Sequence, residues 1–129
     1  MNGLHLTADL AGCASKDLLT DGPGLAREVR AAAEGAGLTV VGDHWHRFPD
    51  APDGQPGGIT GMLLLAESHV ALHTWPEIAS VTLDVYVCNY EGDNSEKAHA
   101  LMATLVALFQ PADARHHALV RGRLGAGAL

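Results

Sequence analysis

The chain has 129 residues, of which 47% are hydrophobic and 18% are charged, and its net charge is −7 when histidine is neutral. This length suits one domain with a modest core, and the composition is that of a globular protein rather than a disordered one. The negative charge argues against nucleic acid or an anionic membrane surface as a partner, whereas it is compatible with a small cationic ligand. Because no signal-peptide pattern and no apolar run of about 18 residues is visible, we expect a cytoplasmic protein that does not bind membranes.

The first half of the chain predicts two strands with one helix between them. Polar and apolar side chains alternate over Gly3–Leu10, which predicts a half-buried strand. A polar connection, Gly12–Gly24, leads to a helix predicted over Leu25–Ala36, where the apolar residues recur at helical spacing and glycine follows the last turn. A second strand is predicted over Leu38–Phe48. The stretch from Phe48 to Gly58 then holds three prolines and three glycines, which predicts an irregular loop.

The second half of the chain is richer in strands. Apolar or alternating segments predict four of them, over Ile59–Ala66, Val70–Thr74, Val81–Cys88 and Arg115–Arg121. Apolar residues at helical spacing predict a second helix over Asn94–Phe109, with Ser95 as its N-cap. We expect the tail from Gly122, which is rich in glycine and alanine, to be frayed.

This order of elements predicts a single α+β domain that spans residues 1–129. Two helices and several strands pack naturally as a two-layer α/β sandwich, in which both helices cover one face of a mainly antiparallel sheet. The second face of the sheet then needs a partner, and we therefore expect a homodimer.

A polar cluster inside an apolar run is the best indication of chemistry. Glu67, Ser68 and His69 stand side by side between apolar segments, and His73 follows Ser68 by five positions. Polar groups rarely occupy such a run without a function. A hydrolase that uses Ser68, His73 and Asp84 is conceivable, but the GxSxG pattern of a nucleophile elbow is missing.

Histidine is abundant enough to raise the question of a metal site. The chain holds eight histidines, and the pairs His44 with His46 and His69 with His73 have spacings that share a strand face. However, the sequence contains neither an HExxH motif nor a pair of closely spaced cysteines. We therefore expect no metal.

Four short motifs carry a resemblance to a known family. They are GITG at 58–61, AESH at 66–69, HTWPE at 73–77 and LDVYVC at 83–88, with further matches in GLHL at 3–6 and HRF at 46–48. The segment resembles the pyruvoyl-dependent S-adenosylmethionine decarboxylases of the small prokaryotic type. The resemblance covers about residues 3–90 and fades through the second predicted helix. Its most specific feature is a serine followed by histidine at plus five and cysteine at plus twenty.

The resemblance implies that the chain makes its own cofactor by cutting itself between Glu67 and Ser68. The Ser68 hydroxyl would attack the preceding carbonyl, and elimination and hydrolysis would leave a pyruvoyl group at the new terminus. The products would be a β chain of residues 1–67 and an α chain of residues 68–129. His73 matches the residue that handles a proton during processing, and Thr60, where the family usually has serine, would assist.

The resemblance also implies roles in turnover. The pyruvoyl group would form a Schiff base with S-adenosylmethionine, Cys88 would donate the proton that replaces CO₂, and the decarboxylated product would serve spermidine biosynthesis. Phe48 matches a residue that stacks on adenine, and Glu77 matches one that binds the ribose hydroxyls. Asp9 falls where the family usually has glutamate, near the substrate. Trp75 is expected to pack in the structure rather than to bind.

Two alternatives stay open on the sequence. The loop over residues 49–58 is longer than is typical of the family and adds Asp50 and Asp53, which would suit the second cation of arginine or ornithine. A pyruvoyl-dependent decarboxylase of either amino acid is therefore one alternative. The other is a non-enzymatic, unprocessed homologue with a binding or regulatory role. In the main interpretation, the protein is a homodimer of αβ protomers that acts on a small cationic substrate.

Overall fold

The computed structural model describes residues 2–90 and 92–122. Within these residues, six strands form one sheet: β1 (Gly3–Ala11), β2 (Thr39–Arg47), β3 (Ile59–Ala66), β4 (Ser68–Trp75), β5 (Ser80–Cys88) and β6 (Asp113–Arg121). The helices are α1 (Gly22–Gly35) and α2 (Ser95–Phe109), with short 3₁₀ helices at Lys16–Leu19 and Pro76–Ile78. The order across the sheet is β2-β3-β4-β5-β1-β6, and every neighbouring pair is antiparallel.

Both helices cover one face of the sheet, which confirms the predicted two-layer α+β sandwich. Along β3, β4 and β5, buried residues alternate with accessible ones, as a strand with one covered face requires. Leucines from three neighbouring strands, Leu63, Leu72 and Leu83, are at most 1% exposed and pack with buried residues of the helices. The core therefore lies between the sheet and the helix pair.

Helix α1 begins three residues earlier than the sequence pattern predicts. The Asp21 side chain accepts a hydrogen bond from the Gly24 amide at 3.0 Å, and proline stands in the first turn. An aspartate N-cap and an early proline both stabilise a helix start, and they fix it at Gly22 rather than Leu25. The predicted connection over residues 12–24 is accordingly shorter and contains a 3₁₀ turn.

The prediction that Ser95 is the N-cap of helix α2 is wrong. Ser95 is the first helical residue and not the cap, and its amide donates to the Asp93 carboxylate at 2.9 Å. The cap residue is Asn94, whose side chain instead donates to the Cys88 carbonyl at 2.9 Å. The amide side chain thus connects the start of α2 to the end of β5, where Cys88 lies.

The third and fourth strands form a hairpin that is tighter than predicted. Leu65 and Ser68 are the last paired residues, so that Ala66 and Glu67 make the turn. Strand β4 therefore runs from Ser68 to Trp75, rather than over Val70–Thr74 alone. Strand β6 likewise begins two residues before the predicted Arg115, and the predicted frayed tail lies outside the described residues beyond Gly122.

One buried polar residue fixes the far end of this hairpin. Thr74 is 4% exposed, and its hydroxyl accepts a hydrogen bond from the Ile59 amide at 2.8 Å and donates one to the Leu19 carbonyl at 2.7 Å. A buried hydroxyl is tolerated here because both of its hydrogen-bonding functions are used. Thr74 therefore holds β3 and β4 to the segment that precedes α1.

The second face of the sheet is not covered by a helix within the described residues. It carries the alternate positions of the strands, among them Met62, Leu64, His73, Tyr86 and Leu119, and we call it the open face. Met62, Leu64 and Leu119 are between 40% and 60% exposed, so large apolar side chains of this face are open to solvent on both β3 and β6. Among the described residues, neither helix has the length and apolar character needed to span a membrane.

Candidate active site

The predicted site residues fall into two groups at opposite ends of β4. Glu67, Ser68 and Cys88 lie at one end, because Ser68 pairs across β4 and β5 with Val87, the residue before Cys88. Thr60 pairs with His73 at the other end. His73 lies five positions after Ser68 along the extended strand, which corresponds to about 16 Å. We refer to the two groups as the Ser68 end and the His73 end.

The Ser68 end contains a buried serine hydroxyl in an unusual environment. Ser68 shares the sheet face of the core residues Val70 and Leu72 and follows the hairpin turn directly. Its Oγ atom is buried and makes no hydrogen bond to any atom of the described residues. Buried hydroxyls normally find a partner, and one that does not is a candidate for a reaction. The neighbouring electrophile is the carbonyl of Glu67.

Cys88 is the more accessible of the two thiols. It ends β5, is only partly buried, and lies with its Sγ atom 3.8 Å from the hydroxyl of Tyr86. Cys13, in contrast, is 1% exposed, and burial raises the pKa of its thiol above the ordinary value. A buried, protonated thiol is poorly suited to proton exchange or to nucleophilic attack. The geometry therefore favours Cys88 for chemistry.

At the His73 end, a histidine is oriented by a hydroxyl. Thr60 Oγ1 and His73 Nδ1 lie 3.0 Å apart and share a hydrogen bond. The two residues are direct neighbours in the β3–β4 register, so the sheet itself sets this distance. With Nδ1 engaged, the Nε2 atom of His73 is left to handle a proton.

A cavity of about 340 Å³ lies beside this pair. Phe48, Thr60, His73, Trp75 and Glu77 are among its lining residues. Its volume is at the lower end of the range for small-molecule sites, and it combines two aromatic rings with a carboxylate. The structure thus brings four predicted residues together, since Phe48, Thr60, His73 and Glu77 share one cavity.

Trp75 is more exposed than the sequence predicts. The sequence predicts a packed side chain, but Trp75 is 43% exposed and lines the cavity on the face opposite the core. Phe48 is exposed to a similar degree, 48%. Strand parity was the missed signal, because Trp75 stands two residues after His73 and therefore shares its face.

Asp9 lies in the same row of the sheet but outside this cavity. It pairs with Thr82 on β5, which in turn pairs with His73 on β4. Asp9 is exposed and lines a neighbouring hollow that Trp75 also borders. The structure therefore places Asp9 two strands away from His73, beside the site rather than within it.

The loop after Phe48 uses its acidic residues to hold its own shape. Asp50 accepts hydrogen bonds from the Gly57 amide and from Arg47, each at 3.1 Å. The Gly57 amide, followed by Arg47, holds the pKa of Asp50 below its usual value. Asp53 accepts from the Gln55 amide at 3.0 Å. Both carboxylates are thus engaged within the loop, which gives no support to a second cation-binding group for arginine or ornithine.

A cluster of ring side chains on the open face was not singled out from the sequence. Tyr86 pairs with His5 on one side and His69 on the other, and its ring centroid is 5.7 Å from each imidazole. The Arg121 guanidinium lies 4.7 Å from the same ring centre and 3.2 Å from His5 Nδ1. Burial, followed by the charge of His5, holds the pKa of His69 below its usual value. The cluster borders Cys88.

A metal centre has no support in the part of the chain that the structure describes. There, no three side chains of the types His, Cys, Asp and Glu come together in a group that could hold an ion. His44 and His46 lie on the outer strand β2, and His46 instead packs against Phe48 with ring centres 4.7 Å apart.

Known proteins are similar to this chain over most of its length. The profile of the family described as S-adenosylmethionine decarboxylase matches residues 4–122. A protein named S-adenosylmethionine decarboxylase proenzyme from Archaeoglobus fulgidus is 38% identical over 122 residues, 93% of this chain and 97% of the relative. A protein of the same name from Aquifex aeolicus is 38% identical over 109 residues, 84% of this chain and 73% of the relative.

A solved structure supports the same assignment. The crystal structure of the adenosylmethionine decarboxylase from Aquifex aeolicus matches with a TM-score of 0.78 and 36% sequence identity, over 96% of this chain and 93% of that chain. The match of fold and sequence over nearly the whole chain leaves the arginine, ornithine and non-enzymatic alternatives without support. The chain belongs to the S-adenosylmethionine decarboxylase family.

Proposed function

We propose that this protein is a self-cleaving, pyruvoyl-dependent decarboxylase that converts S-adenosylmethionine to decarboxylated S-adenosylmethionine, the reaction that would serve spermidine biosynthesis. The observation that carries the proposal is the buried hydroxyl of Ser68, which has no hydrogen-bond partner among the described residues and follows the turn at Glu67 in a chain of this family. An unbonded nucleophile next to a peptide carbonyl is what self-cleavage requires.

Self-cleavage would follow from this placement in three steps. Ser68 Oγ attacks the carbonyl carbon of Glu67, and the bond to the Ser68 nitrogen breaks, so that an amide becomes an ester. Loss of the Ser68 Cα proton then breaks the Cβ–O bond and releases the carboxylate of Glu67. Hydrolysis of the remaining enamine releases ammonia. The β chain (residues 1–67) and the α chain (residues 68–129) stay together because β3 and β4 remain paired.

A second copy of the chain would bring the two ends of the site together. Within one chain, about 16 Å of strand separates Ser68 from His73, too far for proton transfer. The open face carries exposed apolar side chains, and packed sheets lie about 10 Å apart. A two-fold axis perpendicular to the strands, passing near Ala71, would place the Ser68 end of one copy against the His73 end of the other. We therefore propose a homodimer with two composite sites.

In such a site the His73 end would act first on the chain and then on the substrate. His73, oriented by Thr60, would handle the proton that leaves Ser68 during cleavage. The rings of Phe48 and Trp75 would hold the adenine, and the Glu77 carboxylate would accept hydrogen bonds from the ribose hydroxyls. Asp9, in the same row of the sheet, would add negative charge near the sulfonium of the substrate.

The cofactor would arise from Ser68 itself. The pyruvoyl group supplies a ketone that condenses with the substrate amine and accepts the electron pair released with CO₂. Cys88 lies beside the hairpin turn that ends in Ser68 and would then deliver a proton from Sγ to the α carbon of the substrate. The protein groups thus bind the nucleoside at one end and move protons at the other.

Release of CO₂ from carboxyl-labelled substrates tests the proposed activity. The wild-type protein should release CO₂ from S-adenosylmethionine and not from arginine or ornithine, and Ser68→Ala should release none from any of them. Cys88→Ala should still cleave itself but should turn over at least tenfold more slowly. Release from arginine or ornithine alone would overturn the substrate assignment, and equal losses of cleavage and turnover in Cys88→Ala would overturn the role of that thiol.

A further inference from the structure

We propose that Tyr86 is a positioning residue for the Cys88 thiol, and that glycine is required at position 3 to make room for it. The proposal rests on the decarboxylase function proposed above, and it adds a residue whose role neither the motifs nor the comparisons assign. Both residues lie in or beside the ring cluster of the open face, next to the Ser68 end.

The first observation is the contact between the two side chains. Tyr86 and Cys88 stand two residues apart on β5 and therefore share the open face. The Tyr86 hydroxyl lies 3.8 Å from Cys88 Sγ, within the reach of a hydrogen bond to sulfur. The phenol can serve as donor or acceptor to this thiol.

The second observation is that the Tyr86 ring is held from several sides. The imidazoles of His5 and His69 contact it edge-on or tilted, each 5.7 Å between ring centres. The guanidinium of Arg121 lies over its face, 4.7 Å from the centre. Aromatic and cation–π contacts of this kind restrict a ring to one orientation. The hydroxyl is therefore fixed toward Cys88.

The third observation is the space that Gly3 leaves open. Gly3 is the register partner of Cys88 across β1 and β5. A Cβ atom at position 3 would lie 2.8 Å from Cε1 of Tyr86, 2.9 Å from its hydroxyl oxygen and 2.9 Å from the backbone carbonyl oxygen of Arg121. Contacts this short force atoms to move. A larger residue at position 3 would therefore push against both the Tyr86 ring and the β1–β6 pairing, and the shift of the ring would take its hydroxyl away from the thiol.

The protonation state of Tyr86 suits a donor. Burial raises the pKa of Tyr86 above its ordinary value, and the contact with Cys88 raises it further, whereas Arg121 opposes the change. The phenol is accordingly protonated near neutral pH. When Cys88 has delivered its proton to the substrate carbon, the sulfur is left as a thiolate, and the Tyr86 O–H donates a hydrogen bond to it. The thiolate then regains a proton from water.

Tyr86→Phe tests the contact, because it removes only the hydroxyl. Tyr90→Phe is the matched control, since Tyr90 is 67% exposed and receives the same chemical change. Three quantities are measured: the extent of self-cleavage by intact mass, kcat and KM for S-adenosylmethionine, and the rate at which iodoacetamide alkylates Cys88 at pH 7. Peptide mass mapping separates Cys88 from Cys13.

Tyr86→Phe should leave cleavage and KM unchanged and should lower both kcat and the alkylation rate by about tenfold, as expected for the loss of one hydrogen bond to a thiolate. Gly3→Ala should change the same two quantities in the same direction, and Tyr90→Phe should change neither. Unaltered alkylation and a kcat within twofold of wild type in Tyr86→Phe would overturn the proposal, even if Gly3→Ala does not fold. A wild-type protein that neither cleaves nor decarboxylates would overturn the function instead, while alkylation of the uncut chain would still test the contact.

Discussion

A composite site makes a specific prediction about mixed dimers. Ser68→Ala removes the bond that is cut but leaves His73 in place, whereas His73→Ala keeps Ser68 and removes the group that assists. Neither variant should cleave itself as a homodimer. In a heterodimer, the Ser68 end of the His73→Ala chain would lie against the intact His73 end of its partner, and that chain should be cut.

The expected fraction of cut His73→Ala chains follows from the geometry of the dimer and from random mixing of the two chains. Ser68 is about 16 Å from His73 of its own chain along β4, and a facing sheet would lie only about 10 Å away. Equal co-expression gives homodimers and heterodimers in a 1:2:1 ratio if the copies associate at random. Half of the His73→Ala chains are then in heterodimers, and we expect about half of them to be cut.

Intact mass spectrometry of the co-expressed chains, distinguished by different tags, measures this fraction. The control co-expresses His73→Ala with the double variant Ser68→Ala/His73→Ala, which forms the same heterodimers without any intact His73, and no cleavage is expected there. An uncut His73→Ala chain in purified heterodimers would refute the composite site. Rapid cleavage of His73→Ala alone would refute the role of His73.

Three further predictions concern single side chains. Thr60→Val should slow self-cleavage by about tenfold because it removes the hydrogen bond to His73, whereas Thr60→Ser should stay within about threefold. A gel time course measures both rates, and equal rates in the two variants would contradict a role for this hydrogen bond. Thr74→Val should lower the free energy of unfolding in urea by about 2–3 kcal/mol, since it leaves two buried backbone groups unpaired. The exposed Thr104→Val, its control, should cost less than about 0.5 kcal/mol, and similar losses in both would refute that reasoning. Folding lowers the pKa of His69, so the folded protein binds fewer protons at this residue than the unfolded chain does. His69 should therefore destabilise the fold as the pH falls below 6.5. The variant His69→Asn should show a smaller drop in Tm between pH 7.5 and pH 5. An unchanged pH dependence in that variant would count against the assignment.

The strands were largely predictable because their residue types are typical of strands and turn residues bound them. Strands β3 and β5 follow the predicted boundaries closely, since β3 is an apolar run that begins after a loop rich in glycine and proline, and β5 alternates polar and apolar residues. The predicted helix starts were less accurate, because a helix start depends on which hydrogen-bond partner a single side chain has. Asp21 caps α1 before its apolar stripe begins, and Asn94 uses its side chain for the Cys88 carbonyl rather than for the end of α2.

The candidate residues of the site could be named from the sequence, whereas their division between the two ends of β4 could not. The resemblance to the family implied Ser68, His73 and Cys88. Their separation depends on the antiparallel register, in which Thr60 faces His73 and Val87 faces Ser68. Tyr86 illustrates the same limit, because its neighbours come from other strands and a lone tyrosine in an alternating strand gives no sign of them.

The mass of the purified, undenatured protein shows whether Ser68 becomes the cofactor. For the wild-type chain we expect two species, residues 1–67 and residues 68–129, with the second lighter by one ammonia than a chain that begins with serine. Ser68→Ala should give a single intact chain. A wild-type chain that stays whole, or one that is cut at any other bond, would contradict the claim that Ser68 becomes the cofactor.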